Sequence, residues 1–269
     1  MNSLSQRSSA AVNSAPDSDT PLTIASQQKP AAVQSEASTD VWAIKVSENQ
    51  SEREAAFRLL HQVYYRSGLT GNDTCGMRVL KHHLSEQTDV MVAKRNGEVV
   101  FTMSLIRDAE HGMPLESLFA AEVKTMRATG MQLAEVSSLA SDNSLESKSE
   151  QFGLLVKMIS LTLQAARRRG VDRLLLAVHP RHARVYQRLF GCVICSEVRE
   201  YAAVKGNPAV LCMHDFAELD KTGYPLYEQV YNPQYAPWQL DGAKMNEAEK
   251  WHFGQAIADH QSGMVALGA

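Results

Sequence analysis

An α/β domain with a mixed central sheet flanked by helices is the fold this sequence predicts, and three segments carry the prediction. An Asn96-Gly97 pair separates two apolar runs, 89–94 and 99–106, and such a pair marks a tight β-hairpin. Residues 149–169 are apolar on most faces, through Phe152, Leu155, Ile159 and Leu163, and stop at Gly170; this reads as a long buried helix with a glycine cap. The apolar run 173–178 follows, and then Pro180 opens a helix that Gly191 ends. A strand-helix-strand crossover therefore accompanies the antiparallel hairpin.

The remaining elements fall around these. Trp42, Ile44 and Val46 sit at every second position, as in a half-buried strand. Ser51 precedes Glu54 by the spacing of a capping box, and Ala55, Leu59, Leu60 and Val63 recur at helical intervals up to Gly68. A second helix is expected over 75–84. After the hairpin come an inserted helical segment (114–129), a strand (132–140), the long helix, the crossover, and two strands at 193–199 and 209–216. No internal repeat is evident. The expected organisation is a disordered tail over 1–40, rich in Ser, Ala, Gln, Pro and Thr, one α/β domain over 41–219, and an accessory segment over 220–269 with a final helix at 246–260.

At 269 residues and 44% hydrophobic content the chain can bury one substantial core. Its 27 basic and 30 acidic side chains nearly balance, which argues against nucleic acid or an anionic membrane as a partner of the whole molecule. There is no transmembrane segment and no apolar run like that of a signal peptide. Four cysteines are too few for a disulfide framework, so a reducing compartment, the cytoplasm, is expected. Cys192 and Cys195 have the bare spacing of a redox or zinc pair, but an odd offset along a strand sends them to opposite faces and no second pair completes four ligands. They are read as structural. His82 and His83 lack a third ligand at useful spacing and are read as surface residues. No metal site is expected.

Three stretches, Trp42 to Gly68, Leu133 to Ala140 and His179 to Leu211, resemble the long-chain N-acyl amino acid synthases, a branch of the GCN5-related N-acyltransferase (GNAT) fold related to the acyl-homoserine lactone synthases. Residues 42–68, with Glu52-Arg53-Glu54 and Leu59-Leu60, are similar to the opening strand and helix of that group. Leu133-Ala134-Glu135-Val136-Ser137-Ser138 resembles its central strand. The most specific stretch is His179-Pro180-Arg181-His182 through Tyr186, Phe190 and Gly191, continuing to Glu200-Tyr201 and Lys205-Gly206-Asn207-Pro208. The resemblance implies a GNAT fold and transfer of a long-chain fatty acyl group to the amine of an amino acid. The alternatives are a lactone-forming or other carrier-protein-dependent acyltransferase, and a module that binds an acyl chain or protein without turnover.

Relatives that use coenzyme A cradle its pyrophosphate in a glycine-rich loop before the long helix, where backbone amides can approach the phosphates. Here residues 141–149 contain no glycine and two acidic side chains, Asp142 and Glu146. The implied donor is a phosphopantetheine thioester on acyl carrier protein, with acyl-CoA less favoured and no bound cofactor.

Amide formation from a thioester needs a base for the ammonium group, a polarised carbonyl and a proton for the thiolate. Glu135, amid apolar neighbours in a strand, is the leading base, the alternative being a structural ion pair with an arginine. The related lactone synthases follow the acidic residue with Ser-Arg; here Ser138 replaces the arginine. His179 is a second base, a donor to the substrate carboxylate, or a helix cap. Tyr186 matches the position of a general-acid tyrosine in many GNAT enzymes, or is a core residue. The amides of a bulge around Val136, Ser137 and Ser138 would polarise the carbonyl. Met103, Leu105, Leu154 and Met158 are compatible with an acyl tunnel or with plain core. Arg181, Arg184 and Arg188 share one helix face, either a docking surface for an acidic carrier protein or a solvated stripe.

Overall fold

The computed structural model describes residues 40–71, 75–142 and 147–266, with side chains to 258. The tail expected over 1–40 lies outside the described residues except for Asp40.

Asn96 and Gly97 both take positive φ, 54° and 90°, the mirror-image turn that matches strand twist. They join β2 (Thr88–Arg95) to β3 (Glu98–Arg107); β1 (Trp42–Val46) pairs with β2, and β4 (Leu133–Ser141) with β3, all antiparallel. A helical crossover brings β5 (Arg173–Val178) parallel to β4. The short strands β6 (Val193–Ile194) and β7 (Arg199–Tyr201) and β5 all run antiparallel to β8 (Asn207–Asp215). The order is β1-β2-β3-β4-β5-β8-β6, with β7 also on β8.

Helices α1 (Gln50–Arg66) and α2 (Glu116–Arg127) cover one face, and α3 (Lys148–Arg168) and α4 (Pro180–Phe190) the other. The main core lies under α3, where Met91, Phe101, Met103, Leu105, Leu174 and Leu176 meet Leu154, Met158 and Leu161. Cys192 joins this core and Cys195 the one beneath α2, as their odd offset requires.

Three local expectations need correction. Residues 76–80 are not helical; only Lys81–Leu84 makes a single 3-10 turn. Gly76 has φ +62°, Arg78 N–H donates to Phe57 O at 3.0 Å, and Met77 and Val79 are buried at alternate positions, the period of an extended chain. The run 193–199 splits because the Ser196 hydroxyl accepts from Leu211 N–H at 2.8 Å where a carbonyl of a continuous strand would stand. The cap of α1 is Asn49, which accepts from Glu52 N–H at 3.0 Å, while Glu52 accepts from Glu48 N–H at 2.9 Å. Ser51 therefore lies inside the first turn rather than capping it.

After β8 the chain runs back across the molecule through α5 (Phe216–Thr222), α6 (Tyr227–Tyr231), α7 (Pro237–Leu240) and α8 (Glu247–Ala266). Ser160 and Gln164 of α3 donate to Val230 O at 2.5 and 2.8 Å. Gly242 lies so close to Val46 and Ser47 that any Cβ there would overlap them. Phe253 of α8 packs edge-on to Phe57. Among the described residues no helix is long and apolar enough to cross a membrane.

Arg53 fixes this return. Its Nη1 donates to Glu249 Oε1 at 2.6 Å and its Nη2 to Ala243 O, with Arg53 and Glu249 side chains 4% and 7% exposed. Breaking a buried pair strands the surviving charge, so Glu249→Ala is expected to destabilise the protein by about 3–5 kcal/mol. Urea unfolding of the two proteins measures the difference.

Candidate active site

Parallel pairing between β4 and β5 lasts for three residues, Leu133 with Arg173 to Glu135 with Leu175. Beyond Glu135, β4 stays with β3 and β5 stays with β8 as far as Val178. The parting coincides with a bulge: Ser104 pairs with Ser137 and Thr102 with Ala140, so three steps on β4 oppose two on β3. Ser138 sits in it with φ +54°. One consequence is that Val136 and Leu139, an odd number apart, both pack toward the α3 side, while Ser138 and Ala140 face the other way.

A cavity of about 590 Å³ fills the gap between the strands. Residues 135–139 and 176–179 form its walls, α1 contributes Tyr64, the segment after α1 contributes Arg78 and His82, and β7 contributes Tyr201. Glu135, 2% exposed, accepts from Leu115 N–H at 2.8 Å through Oε2. Burial pushes its carboxyl up to about 8, against the lowering pull of the Leu115 amide and the Ser137 hydroxyl. Among the described residues it is the one carboxylate in the lining, which otherwise holds Arg78, Lys81, Arg181, His82, His179 and His182. No arginine pairs with it there; the cation nearest in role, Arg78, lies over the Tyr64 ring at 4.9 Å and donates to Thr70 Oγ1 (3.3 Å) and Ala203 O (3.0 Å).

A second, apolar chamber of about 30 Å³ lies on the α3 side and shares Val136, Leu139, Leu176 and Tyr186 with the first. Tyr186 thus faces both, and burial raises its hydroxyl to about 12. Of the four residues considered for an acyl tunnel, Met103 lines this chamber. Leu105 and Met158 are wholly buried in the adjoining core, and Leu154 borders a separate hollow beside Trp42. On α3 the row Ile159, Thr162 and Leu163 faces the chamber instead, one step around the helix from Leu154 and Met158.

Val136, Ser137, Ser138, His179 and Tyr186 all line the main cavity with Glu135, and Arg181 stands exposed at its edge. His179 caps α4, its Nδ1 accepting from Arg181 N–H at 3.2 Å. Arg184 and Arg188 are exposed on α4 outside both cavities, and among the described residues no ion pair engages them.

Sequence reasoning missed Arg78, Tyr64 and the two histidines. His82 and His83 are buried, not surface residues. Reading 75–84 as a helix hid them; the alternation of Met77 and Val79 about Arg78 was the available signal for an extended segment with one face toward a site.

The model of the N-acyl amino acid synthase FeeM family matches residues 55–215. A comparison with curated proteins gives no match. Among solved structures, FeeM, an N-acyl amino acid synthase from uncultured soil microbes, is similar with a TM-score of 0.60 and 22% identity over 71% of this chain and 98% of that one. The AHL synthase LasI is similar with a TM-score of 0.50 and 11% identity over 73% and 97%. At such identities these likenesses speak to the fold, which is that of the GCN5-related N-acyltransferases. Matched over more than half of its length, the chain belongs to the FeeM family of N-acyl amino acid synthases and is an acyltransferase.

Proposed function

We propose that this protein moves a long-chain fatty acyl group from the phosphopantetheine arm of an acyl carrier protein to the amine of an amino acid, giving an N-acyl amino acid. The observation that carries this reading is Glu135: a buried carboxyl raised to about 8, among the described residues the one acid in a basic cavity, beside strands that part around a bulge. A base matched to neutral or mildly alkaline pH suits removal of a proton from an ammonium group. The amine then attacks the thioester carbonyl, whose oxygen gains charge facing the bulge amides around Val136, Ser137 and Ser138. As the C–S bond breaks, Tyr186, kept protonated by burial, gives its proton to the thiolate and takes in return the second proton that the attacking nitrogen loses on becoming an amide, while His179 at the rim serves as cap and auxiliary donor.

An amino acid brings a carboxylate, and Arg78 with Lys81 supplies the positive wall to meet it. The acyl chain runs from the main cavity toward the apolar chamber, where side chains such as Met103 turn aside to admit it; methionine's flexible thioether suits that duty. Support for the carrier protein comes from α3. Ser147 Oγ accepts from Glu150 N–H at 3.1 Å and Glu150 Oε2 accepts from Ser147 N–H at 3.1 Å, so two of the amides at this helix start are taken and the carboxylate beside them disfavours a pyrophosphate. The expected loop 141–149 lies partly outside the described residues, but it has no glycine. Arg181, Arg184 and Arg188 offer an acidic carrier protein a basic helix face.

Mass spectrometry of lipids from cells expressing this chain is expected to reveal new N-acyl amino acids that vanish with Glu135→Gln; their absence from the wild type would refute the synthase reading. The rate is expected to climb with pH and level off above about 8 as Glu135 becomes a carboxylate. Stability moves oppositely. A carboxyl at 4.5 when unfolded and about 8 when folded leaves the unfolded state with fewer protons between those values, so wild-type stability falls as pH rises through that window. Glu135→Gln removes this slope, which thermal unfolding at a series of pH values will register. Arg78→Gln is expected to raise KM for the amino acid about tenfold or more with a smaller effect on KM for the acyl donor, measured by steady-state kinetics.

A further inference from the structure

His83 takes no part in the proton transfers above, yet every polar atom of its ring is committed. The ring is 1% exposed and stacks on Phe57 with centroids 4.8 Å apart. Leu80 N–H donates to Nδ1 at 3.1 Å, which places the proton of the neutral ring on Nε2. Burial, with His82 and Arg78 nearby, pushes the ring's pKa down to about 3 and so keeps it neutral. Nε2 lies 3.2 Å from Ser138 Oγ and 3.3 Å from Ser104 Oγ.

This arrangement rules out a serine nucleophile activated by His83, because the nitrogen facing Ser138 already carries its hydrogen and the ring is a very weak base. It does something else to Ser138. A hydroxyl whose oxygen accepts from an N–H must direct its own hydrogen elsewhere. Ser104, 1% exposed, is not part of the cavity wall; Ser138 is. Ser138 also occupies the bulge at positive φ, a conformation that costs a non-glycine residue and persists where the surroundings hold it.

We propose that the Ser138 hydroxyl donates a hydrogen bond to the thioester carbonyl oxygen, beside the bulge amides, and that His83 is the positioning residue that turns it there by donating Nε2–H to Ser138 Oγ. The inference rests on the acyl-transfer reading and deepens it. In the tetrahedral intermediate the former carbonyl oxygen holds the negative charge; Ser138 keeps its proton, forms no covalent bond, and releases the oxygen as the carbonyl re-forms and the C–S bond breaks.

Ser138→Gly provides the test, since glycine accepts positive φ and the fold is retained. With palmitoyl-acyl carrier protein and a mixture of the common amino acids, kcat is expected to fall about 100-fold while KM for the acyl donor hardly changes. His83→Phe keeps the stacking but frees the hydroxyl to rotate, and should cost about 10-fold in kcat; His83→Gln, which restores an N–H near Nε2, should recover most of that loss. In a Ser138→Gly background His83→Phe should cost nothing further, as befits residues acting as one unit. Wild-type kcat in Ser138→Gly would overturn the proposal, as would an equal loss from His83→Phe in both backgrounds, which would make His83 a structural residue. A wild-type protein that transfers no acyl group to any amine overturns the acyl-transfer reading itself, and this inference with it.

Discussion

Beyond Glu135 the two central strands share no further hydrogen bonds, and the site exists because they do not. β4 carries one residue more than β3 can match, so its end is drawn toward β3 and away from β5. Backbone groups that a continuous sheet would pair are left facing a cavity, and side chains from both strands, from α1 and from α4 converge on it. The bulge also resets the alternation of faces. Val136 and Leu139 both join the apolar side, whereas Glu135 and Ser138 stay with the polar side. A single inserted residue thus separates an apolar chamber from a polar cavity.

Burial acts on the two sides of Ser138 in opposite senses. It raises the acid, Glu135, toward 8 and lowers the base, His83, toward 3, because a low-dielectric setting disfavours whichever form is charged. The outcome is a pocket wall that is mostly uncharged near neutrality on its buried side, with cations such as Arg78, Lys81 and Arg181 toward its opening. Positive charge is thereby concentrated at the opening, while the buried wall around Glu135 and His83 stays largely free of it.

Much of the architecture was legible where a signal was local and singular. Asn96-Gly97 admits one kind of turn, and Pro180 with Gly191 brackets one helix. Signals that depend on distant partners misled. Ser51 and Glu54 have the spacing of a capping box, yet Asn49 caps the helix two residues earlier, with Glu52 reaching back to the Glu48 amide, and Lys45 and Lys94 hold Glu52 in place. Residues 76–80 look helical until Phe57 O is known to accept the Arg78 amide. The site was partly visible: Glu135 and Tyr186 stand on regular elements whose register follows from pattern, whereas the facing of Ser138 is set by the bulge. Arg78 and His83 were not, because their segment is shaped by what it packs against rather than by its own periodicity. Of the tunnel candidates Met103 lines the apolar chamber, whereas those on α3 do not, since choosing Ile159 over Met158 depends on the rotation of α3 about its axis.

The return of the chain from β8 across α3 to α1 also bears on how the molecule is made. Arg53 and Glu249 are separated by 196 positions, and the backbone at Gly242 that abuts β1 comes almost as late. During synthesis, the first strand and helix emerge long before the segment that seals them against water. The growing polypeptide must hold Phe57 and its apolar neighbours partly bare until translation is nearly finished, so the window for misassociation is widest at the end that folds first. A truncated product lacking the last helix would keep every residue of the proposed catalytic cavity and still leave the ribosome with an uncovered flank.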